Sequence, residues 1–116
     1  MKYMLLIYNN AAAFEEMTDD ERQAIFDQVD VLMKELQESG EWVGGEGLAD
    51  AARAKTVKVR DGGTIVTDGP YLEAKEHLAG YLTVDVASEE RAVDIAARWP
   101  DACRWAMEVR AVIGGG

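Results

Sequence analysis

The sequence predicts an α+β domain with an antiparallel sheet and both helices on one face. Two capped helical stripes alternate with short strand-like runs of period two, and glycine-rich turn signals separate the later strands. The 116 residues suit one domain. At 48% hydrophobic, the chain has enough apolar material for a core. A lone domain of this size still buries only about 60–70% of its unfolded surface, so pairing with a second copy would add to stability.

Residues 2–8 are apolar on both faces of a strand, with Tyr3, Leu5 and Ile7 one way and Met4, Leu6 and Tyr8 the other. Such a strand needs a cover on each side. Thr18-Asp19-Asp20-Glu21 reads as a capping box, in which Thr18 and Glu21 each satisfy the other's backbone N–H. Ile25, Val29, Leu32, Met33 and Leu36 then form a helical stripe, and Gly40 is the expected stop. Gly44-Gly45-Glu46-Gly47 invites reading as a phosphate loop, but it lacks the Gly-Lys-Ser/Thr ending and no helix start follows. The preferred reading is a bulged or closely packed strand from Trp42 to Leu48.

Residues 49–55 read as a loop. Thr56 to Arg60 alternates, Asp61-Gly62-Gly63 signals a hairpin turn, and Thr64 to Thr67 returns. Asp68-Gly69-Pro70 breaks the strand. Tyr71 to Leu78 is expected to be a short helical turn or an ordered loop. Gly80 to Val86 is a strand with Leu82, Val84 and Val86 on one face and Tyr81, Thr83 and Asp85 on the other. Ser88 caps a second helix with Ala92, Val93, Ala96 and Trp99 inward, ended by Pro100. Residues 103–113 alternate, with Cys103, Trp105, Met107, Val109, Ala111 and Ile113 on one face, and Gly114 to Gly116 reads as a disordered tail.

The order β-α-β-hairpin-β-α-β predicts a ferredoxin-like βαββαβ domain over residues 1–113 with an inserted hairpin. Its free sheet face needs a cover. Tyr3, Ile7, Tyr81 and the hairpin are expected to supply one by dimerising into a two-sheet α/β barrel.

The formal charge of −10 opposes binding to nucleic acid and to anionic membrane. It suits either solubility alone or a basic partner or cationic ligand. The lone cysteine, Cys103, cannot form an internal disulfide, so a reducing cytoplasm is expected, and its place on an apolar strand face suggests an inert core thiol. The apolar start is read as a strand, not a signal peptide. The three tryptophans are expected in the core or an interface. Neither a zinc spacing nor a nucleotide fingerprint is present, and no cofactor is implied.

Thr67-Asp68-Gly69-Pro70-Tyr71-Leu72-Glu73-Ala74-Lys75-Glu76-His77-Leu78-Ala79-Gly80-Tyr81 resembles the signature of the DGPF branch of the YCII-related proteins. The opening Met1 to Tyr8 and Gly44 to Leu48 are similar to that branch as well, so the resemblance runs from Lys2 to about Val112. It implies a dimeric ferredoxin-like α/β barrel. It also implies either a small enzyme, since a His–Asp pair is proposed as catalytic in some YCII-type proteins, or a partner of extracytoplasmic-function sigma factors. Tyr71 stands where the name-giving phenylalanine would be, and the early histidine of the proposed pair has no counterpart, His77 being the chain's one histidine.

Two functional readings follow. In the first, a cofactor-free enzyme eliminates or isomerises a small polar organic acid. Lys75 holds the substrate carboxylate, with Glu76, Tyr71, Tyr81 and Tyr8 around it, and Asp68, His77 or Glu73 carries the acid–base work. Glu73 and His77 would share one helical face, and a neighbouring carboxylate would favour the imidazolium. In the second, the domain senses a small ligand or docks on a sigma factor. The structural alternatives are a turn carboxylate at Asp68 and a solvated charged loop at residues 73–77.

Overall fold

The first strand, β1 (Lys2–Asn9), is central. It pairs antiparallel with β5 (His77–Asp85) on one side and β6 (Ala106–Ala111) on the other. Strand β2 (Trp42–Gly47) adds to the outer side of β5, so the sheet order is β2-β5-β1-β6, consistent with a ferredoxin-like α+β plan. The structure is a computed structural model and describes residues 1–114, so positions 115 and 116 of the expected tail lie outside the described residues.

Helix α2 (Asp19–Ser39) begins where the sequence places it, with both halves of the Thr18–Glu21 capping box formed, and it stops at Gly40 in the left-handed conformation, φ 80°. Helix α3 (Glu89–Arg98) starts at Ser88, whose hydroxyl accepts from the Arg91 N–H at 3.2 Å. Both helices pack on the same sheet face. Leu32 and Leu36 of α2, and Ala92, Ile95 and Ala96 of α3, close over Tyr3, Leu5, Leu82 and Val84. A bidentate pair ties the start of β2 to α3: Arg91 Nε and Nη2 donate to the Glu41 carboxylate at 2.9 and 2.8 Å.

Two close backbone approaches hold β2 against β5. A Cβ on Gly45 would lie 2.7 Å from the Tyr81 carbonyl oxygen, and one on Gly80 would lie 2.8 Å from that of Glu46. The register also shifts between Trp42 and Gly44. The glycine cluster is thus a bulged, closely packed strand.

Strands β3 (Lys55–Arg60) and β4 (Gly63–Asp68) form a separate two-stranded sheet. Its turn has Asp61 at φ 51° and Gly62 at φ 76°, the two positive dihedrals a tight hairpin turn demands. Val57, Val59 and Val66 share one of its faces and are each more than half exposed. The hairpin extends the chain: the radius of gyration is 16.2 Å, against about 13 Å for a compact chain of this length.

Several expectations are corrected. Of the two forms expected for residues 71–78, the loop is found over 71–76, but His77 and Leu78 belong to β5: His77 opens it opposite Asn9, with an irregularity between Ile7 and Tyr8 that leaves Ala79 outside the ladder. The ladder captures the His77 backbone, so Glu73 and His77 are not helical neighbours. Pro100 does not merely end a helix. It opens a short one, α4 (Pro100–Arg104), because proline's missing N–H is not needed at a first helical position. Cys103 therefore lies on α4 and is exposed, so it is not a core thiol, and Ile113 is exposed as well. Val93 faces outward, and Ile95 takes its place in the stripe.

Tyr3 and Ile7 pack into the helix-side core, so they do not belong to the free face. The register puts Met4, Leu6 and Tyr8 there, beside Tyr81 and Thr83. Finally, an unexpected helix α1 (Ala11–Glu16) follows β1. Asn10 caps it by accepting from the Ala13 N–H at 3.1 Å. Arg22 of α2 fastens its far end by donating to the carbonyls of Phe14, Glu15 and Met17.

Candidate functional site

Two cavities meet at one end of the sheet. The helix-side cavity, about 510 Å³, lies between α1, α2 and the strands β1, β2 and β5. The motif-loop cavity, about 590 Å³, lies between Tyr8, the 48–54 segment and residues 70–78. Both fall in the usual range for small-molecule sites, about 300–1,000 Å³. They share a wall made of Leu48 to Ala51, His77 and Leu78.

Backbone bonds fix that wall. The Leu48 N–H donates to the Ala79 carbonyl at 2.8 Å, and the Gly69 N–H donates to the Ala54 carbonyl at 2.7 Å. The Thr56 hydroxyl donates to the Gly69 carbonyl at 2.9 Å. Asp50 caps the short 3₁₀ turn Ala51–Arg53, accepting from the Ala52 N–H at 3.0 Å, and so presents Arg53 to the motif-loop cavity. The Asp68-Gly69-Pro70 break, with Gly69 at φ 95°, then turns the chain into the loop that forms the far side.

His77 and Asp50 are the polar residues of the shared wall. The His77 Nε2 is enclosed and has no hydrogen-bond partner among the described residues. An orphaned buried polar atom costs about 1–3 kcal/mol. Such an atom, on a residue that borders both cavities, calls for a partner that the protein itself does not supply.

A second polar group lies on the helix side. The Asn9 Nδ2 donates to the Asp101 carboxylate at 3.5 Å, joining the end of β1 to α4. Asp101 is 9% exposed. Burial pushes its carboxyl pKa up, opposed by the Asn9 bond, by a backbone hydrogen bond at Asp101 itself and by the Arg104 charge. Asn9, His77 and Asp101 all border the helix-side cavity, and Asn9 sits opposite His77 in the strand register.

Of the residues expected at a site, the structure gathers some and separates others. His77, Glu76, Tyr71 and Tyr8 border the motif-loop cavity, and Tyr81 borders the helix-side one. Burial, and then the hydrogen bond to Glu108, raises the Tyr8 phenol pKa, so at neutral pH it remains a donor, 3.1 Å from Glu108 Oε1. Tyr71 is largely exposed, with the Lys58 ammonium 5.2 Å from its ring centre. Asp68 pairs with Lys55 across the hairpin and its side chain is 82% exposed. Glu73 and Lys75 are exposed, and neither borders these two cavities.

The sequence does not mark Asn9, Arg53 and Asp101 as residues of a site. Asn9 carries a weak signal, a polar residue closing an apolar strand, while Asp101 lies 92 residues away from it in sequence and joins it only through the fold. Among the described residues, no group of three His, Cys, Asp or Glu side chains is placed to hold a metal ion. No helix of the described residues is long and apolar enough to cross a membrane.

The fold and the paired cavities define a small α+β domain with two half-open cavities at one end of its sheet. The model of the YCII-related domain matches residues 1–114, and the chain belongs to that family. It is also similar to an uncharacterised protein of Rhizobium meliloti (strain 1021), with 30% identity over 96 residues, 83% of this chain and 77% of that protein.

Proposed function

We propose that this protein is a homodimeric member of the DGPF branch that performs cofactor-free acid–base chemistry on a small polar organic acid in the motif-loop cavity. The orphaned Nε2 of His77 carries the reading, because it is an acid–base group held at the cavity wall without a protein partner. Asp68 and Glu73 border neither cavity, so the proton-moving role falls to His77 alone. Arg53 is the cation that borders this cavity and would hold the substrate carboxylate, the part first expected of Lys75. Tyr8 supplies a protonated hydroxyl at the other edge.

In an isomerisation, the imidazole takes a proton from a carbon beside a carbonyl. The electron pair moves into that carbonyl as an enolate, and return of the proton at another carbon completes the step. Nothing is oxidised or reduced. Dimerisation through the free sheet face would cover Met4, Leu6 and Tyr81 and give the exposed hairpin valines a partner surface.

Proton exchange tests the reading. The protein is incubated in deuterated buffer with a panel of short-chain oxo- and hydroxy-acids, and loss of C–H signal is followed by NMR. Exchange with at least one acid that falls about 100-fold or more in His77→Gln supports it. Exchange unchanged by that substitution, or no exchange with any acid, contradicts it.

A further inference from the structure

The helix-side cavity has a chemistry of its own. Among the described residues, four acidic ones border it, Glu15, Glu46, Asp50 and Asp101, and neither a lysine nor an arginine does. Five aromatic residues border it too: Phe14 and Phe26 from α1 and α2, Trp42 from β2, Tyr81 from β5, and Trp99 between α3 and α4. The two phenylalanine rings meet edge to face at 5.9 Å. Asp101 is nine-tenths buried, and its bond from Asn9 is long, at 3.5 Å. A carboxylate accepts at about four lone-pair sites, so the distant Asn9 amide and the backbone bond at Asp101 itself leave room for a further donor.

This combination differs from the wall of the motif-loop cavity, where Arg53 stands. Aromatic faces attract cations and are indifferent or hostile to anions. An enclosed carboxylate in low dielectric rewards a positive partner and penalises a negative one. The overall charge of −10 raises the local concentration of cations and lowers that of anions.

From these features we infer that the helix-side cavity is a second ligand site, taking an organic ammonium whose apolar body lies among the aromatic rings and whose charged nitrogen reaches Asp101. The site is separate from the acid-binding reading of the motif-loop cavity and does not depend on it. The two are divided by the His77 wall, and so a cation on one side and an acid on the other can be held at the same time.

Three probes of matched shape test it by isothermal titration calorimetry on the intact protein: 2-phenylethylammonium, 2-phenylethanol and 3-phenylpropanoate. The ammonium is expected to bind at least about tenfold more tightly than the alcohol, and the carboxylate more weakly than either. Asp101→Asn, checked for folding by near-ultraviolet circular dichroism, is expected to abolish the preference for the ammonium while leaving the alcohol within about twofold. Phe14→Leu, on the short outer helix, removes one ring without touching the core. It is expected to weaken the ammonium about threefold and the alcohol less, and it decides the question where Asp101→Asn does not fold. Equal or better binding of the alcohol or the carboxylate overturns the inference. So does absence of ammonium binding at millimolar concentration, or a preference that survives both substitutions.

Discussion

The Asn9 carboxamide donates to the Asp101 carboxylate at 3.5 Å, joining the last residue of β1 to the first turn of α4 at the helix-side cavity. The bond brings a buried acid to the edge of a cavity, at a cost in solvation that has a visible pH signature.

Burial places the folded pKa of Asp101 above its unfolded value. The fold therefore favours the neutral acid. That contribution is fully present below the ordinary carboxylate range and is lost as pH rises through the folded value. Asp101→Asn is neutral at every pH. Expected is a variant near wild-type stability at about pH 3 and more stable than wild type at neutrality. Urea melts at the two pH values check this, and an offset that does not change with pH contradicts it.

Gly45 and Gly47 give a matched pair on β2. A Cβ at Gly45 would lie 2.7 Å from the Tyr81 carbonyl oxygen and 3.0 Å from Leu82 Cα, both backbone atoms, whereas one at Gly47 would meet nothing within 4 Å. Gly45→Ala is expected to destabilise by roughly 1–3 kcal/mol, as overpacking does, with a fall of several degrees in Tm. Gly47→Ala is expected to stay within about 0.5 kcal/mol of wild type. Thermal unfolding of both variants makes the comparison.

The proposed dimer rests on the free sheet face, where Leu6 stands beside Tyr81 in the β1–β5 register. Leu6→Lys would place a charge in the middle of a buried apolar interface. Sedimentation velocity is expected to show a dimer for wild type and a monomer for this variant. An unchanged sedimentation coefficient would move the interface elsewhere.

The sequence made the repetitive part of the fold legible and left the site largely hidden, for a physical reason. Local rules govern the Thr18–Glu21 box, the Gly40 stop, the Asp61-Gly62 turn and the alternation of Leu82, Val84 and Val86, and each is found where its residues indicate. The errors came where two local rules competed. Pro100 reads equally well as a helix stop and a helix start, and the ladder opposite Asn9 overrode the helical spacing of Glu73 and His77. Tyr3 and Ile7 alternate correctly, but alternation alone does not say which face meets the helices. His77 stands out in the sequence by its chemistry. Asn9, Arg53 and Asp101 needed the fold, since their meeting depends on sheet register and on the helix α4 that the sequence concealed.

The most direct measurement uses the fact that the chain has one histidine, so a nitrogen-15 NMR spectrum reports His77 without ambiguity. If its enclosed Nε2 is the acid–base group of a ligand site, titrating short-chain oxo- and hydroxy-acids shifts the Nε2 resonance saturably, and Arg53→Gln weakens that titration about tenfold or more. An Nε2 resonance that stays fixed through the whole panel would contradict the assignment of the motif-loop cavity as an acid–base site.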